Sequence, residues 1–320
     1  GSKTVLETNS TEVNYTLASG LSAGSHLVML TKRTEGKSST WHGSATIHGF
    51  IASGAGDPLP PSSDRRLLFI GDSLCCGTGA LGKSSQCVSA DLVFQSAPAG
   101  FAMQALGFLE AEGQLACASG RGLLRNYGAP KERWGMNTIP LLWNQILISN
   151  ASAGMWNCAT WVPHVIVIHI GTNDYMTRNG PTRDEFVSAL DAFVAHMREA
   201  CGNMHIPIVL ACGPLCKNCP VCRYMSGAAL ELPSSSFVDL NFEASESHLK
   251  EGCSGHPTVA GHKRMAEKLA PVIALAGSWT YVRQSASSAL RLWSFSIASF
   301  LGGILLATGR SFTLDGDIYI

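Results

Sequence analysis

The sequence has no excess of either charge and little charge in total. Among its 320 residues, 23 are lysine or arginine and 23 are aspartate or glutamate, so the formal net charge is zero and charged residues make up 14%. Attraction to nucleic acid or to an acidic membrane surface depends on a basic excess. The balance therefore argues against a polyanionic partner, and we expect no nucleic acid to bind.

The sequence also lacks a clear membrane-spanning run. Residues 292–307 (LWSFSIASFLGGILLA) carry no charge, but they fall short of the roughly 20 residues that a transmembrane helix needs. We expect a buried or poorly ordered helix there, with membrane contact as the less favoured alternative. The first residues, GSKTVLETNS, do not have the pattern of a signal peptide, and we find no internal repeat.

Cysteine, in contrast, is abundant. There are 11 cysteines, an odd number, so at least one has no intramolecular disulfide partner. This number favours an oxidising compartment, and the glycosylation sequons at Asn9, Asn14 and Asn150 agree with it. We therefore expect a secreted protein or one of the secretory pathway.

Four of the cysteines form a cluster in the segment ACGPLCKNCPVCRY, at Cys212, Cys216, Cys219 and Cys222. Their spacing is tight for a structural zinc site, which normally pairs two knuckles across a longer loop. We predict a disulfide-stapled loop with Cys253 as one candidate partner. Zinc or an iron–sulfur cluster is the alternative.

The pattern of hydrophobic residues divides the chain into three parts. Short strands are predicted in residues 11–53 (TEVNYTLAS, SHLVMLTKR and SATIHGFIAS), and the Pro/Ser-rich segment 57–66 reads as a linker. We place a small, incomplete β-strand segment at 1–59, a main domain at 60–276 and a hydrophobic tail at 277–320.

The main domain has the pattern of an α/β fold. Apolar runs at 67–72, 165–171, 206–213 and 236–242 are typical of parallel strands that are covered on both faces. Residues 182–200 predict a helix that begins with a capping box at Thr182 and Glu185, and a further helix is expected at 259–274. Strands that alternate with helices predict an open, doubly wound sheet.

Two short motifs suggest catalytic or phosphate-binding chemistry. GLSAG at 20–24 fits G-x-S-x-G, but it joins two predicted strands and reads as a hairpin turn. GTGALGKS, from Gly77 to Ser84, fits the phosphate-loop pattern completely. A phosphate loop joins a strand directly to a helix, whereas six residues separate the strand LLFI from Gly77. A nucleotide-binding protein is therefore the alternative hypothesis.

A third signal is spread over the whole main domain: GDS at 71–73, SGRG at 119–122, GTND at 171–174 and GHP at 255–257. Three of these follow a strand or a βα segment, which is where open α/β sheets place their sites. Ser73 can act as a nucleophile once a base takes its proton, and His256 supplies that base. The Ser73 and Gly120 amides and the Asn173 side chain can stabilise an oxyanion.

The strings LLFIGDSLCCGTG, ASGRGLLRNYG, NTIPLLWNQIL, WVPHVIVIHIGTNDY and GCSGHPTVAGHKRMAEKL resemble the SGNH (GDSL-like) hydrolases. Within them, the chain looks most like carbohydrate esterase family two. The resemblance implies a three-layer α/β/α sandwich after a jelly-roll. It implies a serine esterase that removes O-acetyl groups from carbohydrate, such as acetylated xylan, without a cofactor. We expect Asp72 and Asp174 to be supporting residues of the site. Expected sugar contacts are Arg125, Asn126, Tyr127, Trp134 and Tyr175.

The chain departs from this family at one important place. Many SGNH enzymes have aspartate three residues before the histidine, where this chain has Cys253, and family-two relatives often have aspartate where Ser254 stands. Neither side chain can hold an imidazolium as a carboxylate does. We expect a Ser–His dyad in which a main-chain oxygen of residues 251–254 faces the far nitrogen of His256. A carboxylate from Asp239 or Glu251 at that nitrogen would overturn the dyad, and a weakly active, sugar-binding descendant is the alternative.

Overall fold

The computed structural model describes residues 5–6, 13–17, 19–20, 22, 31–35, 44–47, 63–148, 151–216, 219–281, 312–315 and 318–319. Its strands are β1 (Val5–Leu6), β2 (Thr31–Lys32), β3 (Ser44–Ile47), β4 (Arg66–Gly71), β5 (Glu112–Cys117), β6 (Val165–His169), β7 (Ile208–Cys212), β8 (Ser235–Asp239), β9 (Phe312–Asp315) and β10 (Ile318–Tyr319). Its α-helices are α1 (Ser73–Cys76), α2 (Phe101–Leu109), α3 (Ile139–Leu142), α4 (Thr172–Tyr175), α5 (Arg183–Ala200), α6 (Val221–Glu231) and α7 (Val259–Ala276).

The main domain contains a five-stranded parallel sheet with the order β5-β4-β6-β7-β8. In the register of the central strands, Gly71 at the end of β4 lies opposite Cys117 of β5 and His169 of β6. The carboxyl ends of these three strands therefore meet at one edge. The chain crosses from β4 to β5 in one direction and from β5 to β6 in the other, and this reversal creates a crevice at that edge.

Two separate hydrophobic layers cover the sheet. Along β4, Leu67 and Phe69 pack in one layer, whereas Leu68 and Ile70 pack in the other. The first layer also contains side chains of α2 and α7, and the second contains side chains of α5 and α6. Successive side chains of a strand point to opposite faces, so a strand that is buried on both faces must be apolar throughout. The open α/β sheet expected from the apolar runs and the α/β/α sandwich implied by the family resemblance are both confirmed.

The two long helices also agree with the sequence pattern. Helix α5 begins with the predicted capping box, because Thr182 Oγ1 accepts from Glu185 N and Glu185 Oε2 accepts from Thr182 N. The predicted apolar face of α5 is buried at Phe186, Leu190, Phe193, Val194 and Met197. Helix α7 begins after Thr258, whose side chain accepts from Gly261 N.

The strands predicted in residues 11–53 are described only in part. Residues 13–17 of the first form no strand, β2 (Thr31–Lys32) lies in the second, and β3 (Ser44–Ile47) lies in the third. Strands β1 and β2 flank β10, and β3 pairs with β9, so strands close to the two chain ends pair antiparallel. The linker at 57–62, the apolar segment 292–307, Asn9, Asn150 and most of GLSAG lie outside the described residues; Asn14 is exposed.

Candidate active site

Ser73 is the first residue of α1, directly after the central strand β4. The Asp72 side chain caps the helix by accepting a hydrogen bond of 3.0 Å from Leu74 N. Gly77 ends the helix in the left-handed conformation, with φ of 70°. A one-turn helix that is capped at both ends holds the serine at the sheet edge, where its hydroxyl faces the crevice.

The glycines that resemble a phosphate loop have another role. A Cβ on Gly79 would lie 3.0 Å from the Cys253 carbonyl oxygen and 3.2 Å from His256 Cβ, and one on Gly82 would lie 2.4 Å from Cys253 Sγ. These glycines therefore allow the segment after Ser73 to pack tightly against the segment that carries His256. No helix begins at Lys83, which is exposed in a bend. The phosphate-loop interpretation is wrong because a phosphate loop needs the N-terminus of a helix there.

His256 contacts both Ser73 and the main chain. Its Nε2 lies 2.9 Å from Ser73 Oγ, and its Nδ1 lies 3.0 Å from the Cys253 carbonyl oxygen. The geometry expected for the histidine is therefore present. Among the described residues, Nδ1 has no carboxylate partner, and the Asp239 side chain instead accepts from Asn241 N.

The surroundings of His256 select its neutral form. A carbonyl oxygen can only accept a hydrogen bond, so Nδ1 carries the proton and Nε2 is free to accept one from the Ser73 hydroxyl. Burial lowers the pKa of His256, and the bond to the Cys253 carbonyl partly opposes this shift. The imidazole is therefore an unprotonated base at neutral pH.

Gly120 and Asn173 follow the strands on either side of β4. Gly120 comes after β5 with φ of 75°, and Ser119 beside it bonds to Thr78 over 2.9 Å between the two hydroxyl oxygens. Asn173 lies in α4 after β6 and is 6% exposed. Its Nδ2 donates to Arg121 O at 2.9 Å and to Asp72 Oδ2 at 3.3 Å. The structure thus brings the four sequence motifs together at one edge of the sheet.

Asp174 is a buried carboxylate that organises the loop after Gly120. Its two oxygens accept from three consecutive amides, those of Leu123, Leu124 and Arg125, at 2.8–2.9 Å. A Cβ on Gly122 would lie 2.4 Å from Asp174 Oδ2, so only glycine allows this approach. Burial raises the pKa of Asp174, and the three amides oppose this shift.

Asp72 is also fully buried. Burial raises its pKa to about 7, the Leu74 amide opposes this, and the nearby Asp174 carboxylate adds to it. Its oxygens are directed to the α1 cap and to Asn173, and in the described structure His256 is the base that contacts Ser73. Asp72 and Asp174 are thus bonded to residues of the candidate site, and their supporting role stays a prediction.

Glu35, which was not predicted from the sequence, reaches this site from the N-terminal segment. Its carboxylate accepts from Ser119 N at 2.7 Å and from Thr78 Oγ1 at 3.4 Å, and the residue is 6% exposed. Burial lowers the pKa of the nearby Arg121 guanidinium, and the Glu35 carboxylate opposes this shift. A single glutamate in a segment without periodic structure has no sequence signal that would identify it.

We expect Glu35→Ala to lower kcat by about tenfold. The variant leaves the Ser119 amide, next to Gly120, without its buried acceptor. An unsatisfied donor costs about 1–3 kcal/mol of free energy, and an activation free energy raised by the lower part of this range slows the reaction about tenfold. Glu35→Gln is the matched control, because its amide oxygen can still accept, and we expect it to keep kcat within about threefold. Steady-state kinetics with 4-nitrophenyl acetate measure kcat of both variants. Equal kcat values for Glu35→Ala and the wild type would show that Glu35 does not support the Gly120 region.

The five expected sugar contacts lie in different environments. Arg125 is buried and donates to main-chain oxygens of Ala129, Asp174 and Thr177, so its donors are already used within the loop. Asn126 likewise bonds only to main-chain atoms, and Tyr175 packs against Phe186 and Tyr224.

Tyr127 is 59% exposed, and its amide donates to Gly120 O. The ring of Trp134 is partly buried and lies under the Lys131 ammonium. Of the five residues, Tyr127 is the one whose side chain is exposed, and its main chain is bonded to Gly120.

All 11 cysteines are described, and ten of them are paired. The disulfides are Cys76–Cys117, Cys87–Cys253, Cys158–Cys201, Cys212–Cys222 and Cys216–Cys219, and Cys75 is a buried free thiol. The disulfide interpretation of the 212–222 cluster is confirmed. The suggested pairing of the cluster with Cys253 is wrong, because Cys253 is held against the segment after Ser73 and pairs with Cys87.

Comparison with known proteins identifies relatives of both parts of the chain. Residues 1–61 match the family described as carbohydrate esterase 2 N-terminal. The chain is 29% identical over 271 residues to the cellulase/esterase CelE of Acetivibrio thermocellus, a match that covers 82% of this chain and 31% of that protein. It is 25% identical over 261 residues to an acetylxylan esterase/glucomannan deacetylase of Cellvibrio japonicus, which covers 80% and 69%. The chain thus spans about a third of the first relative.

Solved structures give the same result for the fold. A family two carbohydrate esterase from Clostridium thermocellum, solved in complex with cellohexaose, aligns with a TM-score of 0.58 and 26% identity over 71% of this chain and 67% of that one. A carbohydrate esterase family 2 enzyme from Corynascus aligns with a TM-score of 0.62 and 24% identity over 71% and 70%, which is evidence for the fold alone.

Proposed function

We propose that this chain, which belongs to carbohydrate esterase family two of the SGNH hydrolases, is a serine esterase that removes O-acetyl groups from carbohydrates. The observation that carries the proposal is the contact of 2.9 Å between His256 Nε2 and Ser73 Oγ at the carboxyl edge of the sheet. A serine hydroxyl becomes an effective nucleophile when a positioned base takes its proton.

In the proposed reaction, Ser73 Oγ attacks the acetyl carbonyl carbon as His256 Nε2 takes the hydroxyl proton. The proton then passes to the sugar oxygen, which leaves as an alcohol, and an acetyl ester remains on Ser73. Water, activated by the same imidazole, attacks this ester and releases acetate. The cycle returns both side chains to their starting forms and needs no cofactor.

Three donors are proposed to stabilise the negative oxygen of each tetrahedral intermediate: the Ser73 and Gly120 amides and the Asn173 side chain. Each such donor contributes roughly 3 kcal/mol to the transition state. Of the two bonds made by Asn173 Nδ2, the one to Asp72 is the longer, at 3.3 Å. We propose that this N–H, rather than the one bonded to Arg121 O, donates to the oxyanion.

The proposed substrate is acetylated xylan or a similar plant polysaccharide. Two relatives support it by name, one an acetylxylan esterase/glucomannan deacetylase and the other a structure solved with cellohexaose. Tyr127, exposed beside Gly120, is the proposed surface on which a sugar ring packs. Five disulfides among the described residues support secretion, because such bonds persist in oxidising compartments.

We expect kcat/KM for 4-nitrophenyl acetate to exceed that for 4-nitrophenyl octanoate by roughly tenfold or more. The segment after Gly120 exposes Tyr127, whose ring suits a sugar better than a long acyl chain. Acetate release from acetylated xylan, with Ser73→Ala as the control, tests the natural substrate class. Faster turnover of the octanoate would argue for a lipase. Xylan binding without acetate release by the wild type would favour the sugar-binding alternative.

A further inference from the structure

The segment that carries His256 is attached to the segment after Ser73 by a disulfide and by hydrogen bonds. Cys253 is fully buried and pairs with Cys87, and its amide donates to Gly79 O at 3.1 Å. Ser254 has φ of 54°, and its amide donates to Ser85 O and Cys87 O, both at 3.1 Å. Cys253 is also the residue whose carbonyl oxygen accepts from His256 Nδ1.

We propose that the Cys87–Cys253 disulfide takes over the positioning function of the missing triad carboxylate. On this proposal, which rests on the proposed esterase function, Cys87 and Cys253 are positioning residues that act through His256. A carboxylate attracts an imidazolium by its charge, whereas a carbonyl offers only a dipole and depends more on distance and direction. The covalent bond keeps that carbonyl in place.

The surroundings of Cys87 explain why a covalent bond is needed there. Residues 83–86 (KSSQ) are exposed, and residues 77–91 contain no helix or strand. Its later part, residues 83–91, is exposed or half-buried, so it buries little apolar surface and would open readily. The disulfide joins residues 166 positions apart, so it adds a covalent link to the hydrogen bonds that the Ser254 amide donates to Ser85 O and Cys87 O.

The test compares two double variants. In Cys87→Ser/Cys253→Ser the main-chain carbonyl of residue 253 remains, but the covalent bond is lost. The matched control is Cys158→Ser/Cys201→Ser, which removes a disulfide between the loop before β6 and the end of α5, away from the carboxyl edge. Both variants lose one disulfide, so both should unfold at a lower temperature.

We expect kcat of the Cys87/Cys253 variant to fall by roughly tenfold or more, with KM within about twofold, because a displacement of about 1 Å in a catalytic group costs up to 10²-fold in rate. The control should keep the wild-type kcat. The acid limb of kcat/KM should also move to higher pH in the Cys87/Cys253 variant. Burial lowers the pKa of His256, so an imidazole that regains water should have a higher pKa, while the buried His262 stays neutral. Equal kcat values in the two double variants would overturn the proposal.

A second measurement applies if the Cys87/Cys253 variant does not fold. The folded wild type is reduced stepwise with dithiothreitol, which forms a cyclic disulfide as each protein disulfide becomes two thiols. Alkylation with iodoacetamide and peptide mass spectrometry then identify the opened pair. Loss of turnover that follows labelling of Cys87 supports the proposal, and full turnover after that labelling refutes it. If the untreated wild type hydrolyses no acetyl ester, the proposed function fails first, and separately.

Discussion

Replacement of Ser73 by alanine is expected to lower kcat for 4-nitrophenyl acetate by about 10⁴-fold or more and to leave the fold intact. The Ser73 hydroxyl is bonded to His256 Nε2, so its loss removes both the nucleophile and the proton that the base would accept. The α1 cap uses the Asp72 side chain and the Leu74 amide, and neither changes in this variant. Circular dichroism and thermal unfolding should therefore match those of the wild type.

Lys83→Ala is the matched control for this variant. Lys83 belongs to the apparent phosphate loop but is exposed, and no helix begins there. We expect Lys83→Ala to retain the kcat and stability of the wild type, since exposed substitutions usually change stability by less than about 0.5 kcal/mol. Near-wild-type turnover by Ser73→Ala would contradict the proposed nucleophile. Binding of ATP that depends on Lys83 would restore the nucleotide-binding hypothesis.

Asp174→Ala is expected to affect both stability and activity. The variant removes the acceptor of three amides, two of them buried and that of Leu124 half-buried. Each unsatisfied donor costs about 1–3 kcal/mol, so we expect the free energy of unfolding to fall by about 3 kcal/mol or more. The same amides hold the loop that continues from Gly120, so kcat should fall by about 10²-fold. Urea unfolding and steady-state kinetics measure the two effects.

Asp184→Ala serves as the control for the loss of an acidic side chain. Asp184 lies on the exposed first turn of α5 and contacts Arg183 at the surface. We expect its loss to change the free energy of unfolding by less than about 0.5 kcal/mol and to leave kcat unchanged. Similar stabilities for Asp174→Ala and Asp184→Ala would show that the three amides find other partners.

Several contacts of the site could not be predicted from the sequence. Glu35 accepts from Ser119, which lies 84 residues away, and Asp174 accepts from amides about 50 residues before it. Neither pair has a fixed spacing, because each depends on which loops the order of the strands brings together. The phosphate-loop error has the same origin. A pattern of glycines indicates that the backbone lies close to another group, but it does not identify that group, which here is the segment of Cys253 and His256.

The sequence by itself determined the α/β fold and the four motifs of the candidate site. A strand buried on both faces must be apolar along its length, and parallel strands end at a common edge, so the runs ending near GDS and GTND already implied a meeting point. The tertiary structure alone decided what holds His256. The expected main-chain acceptor is the Cys253 carbonyl, and the same residue is bonded to Cys87, 166 residues away. Covalent pairing between distant segments follows from the packing of the whole domain, because no local pattern records which cysteines will meet.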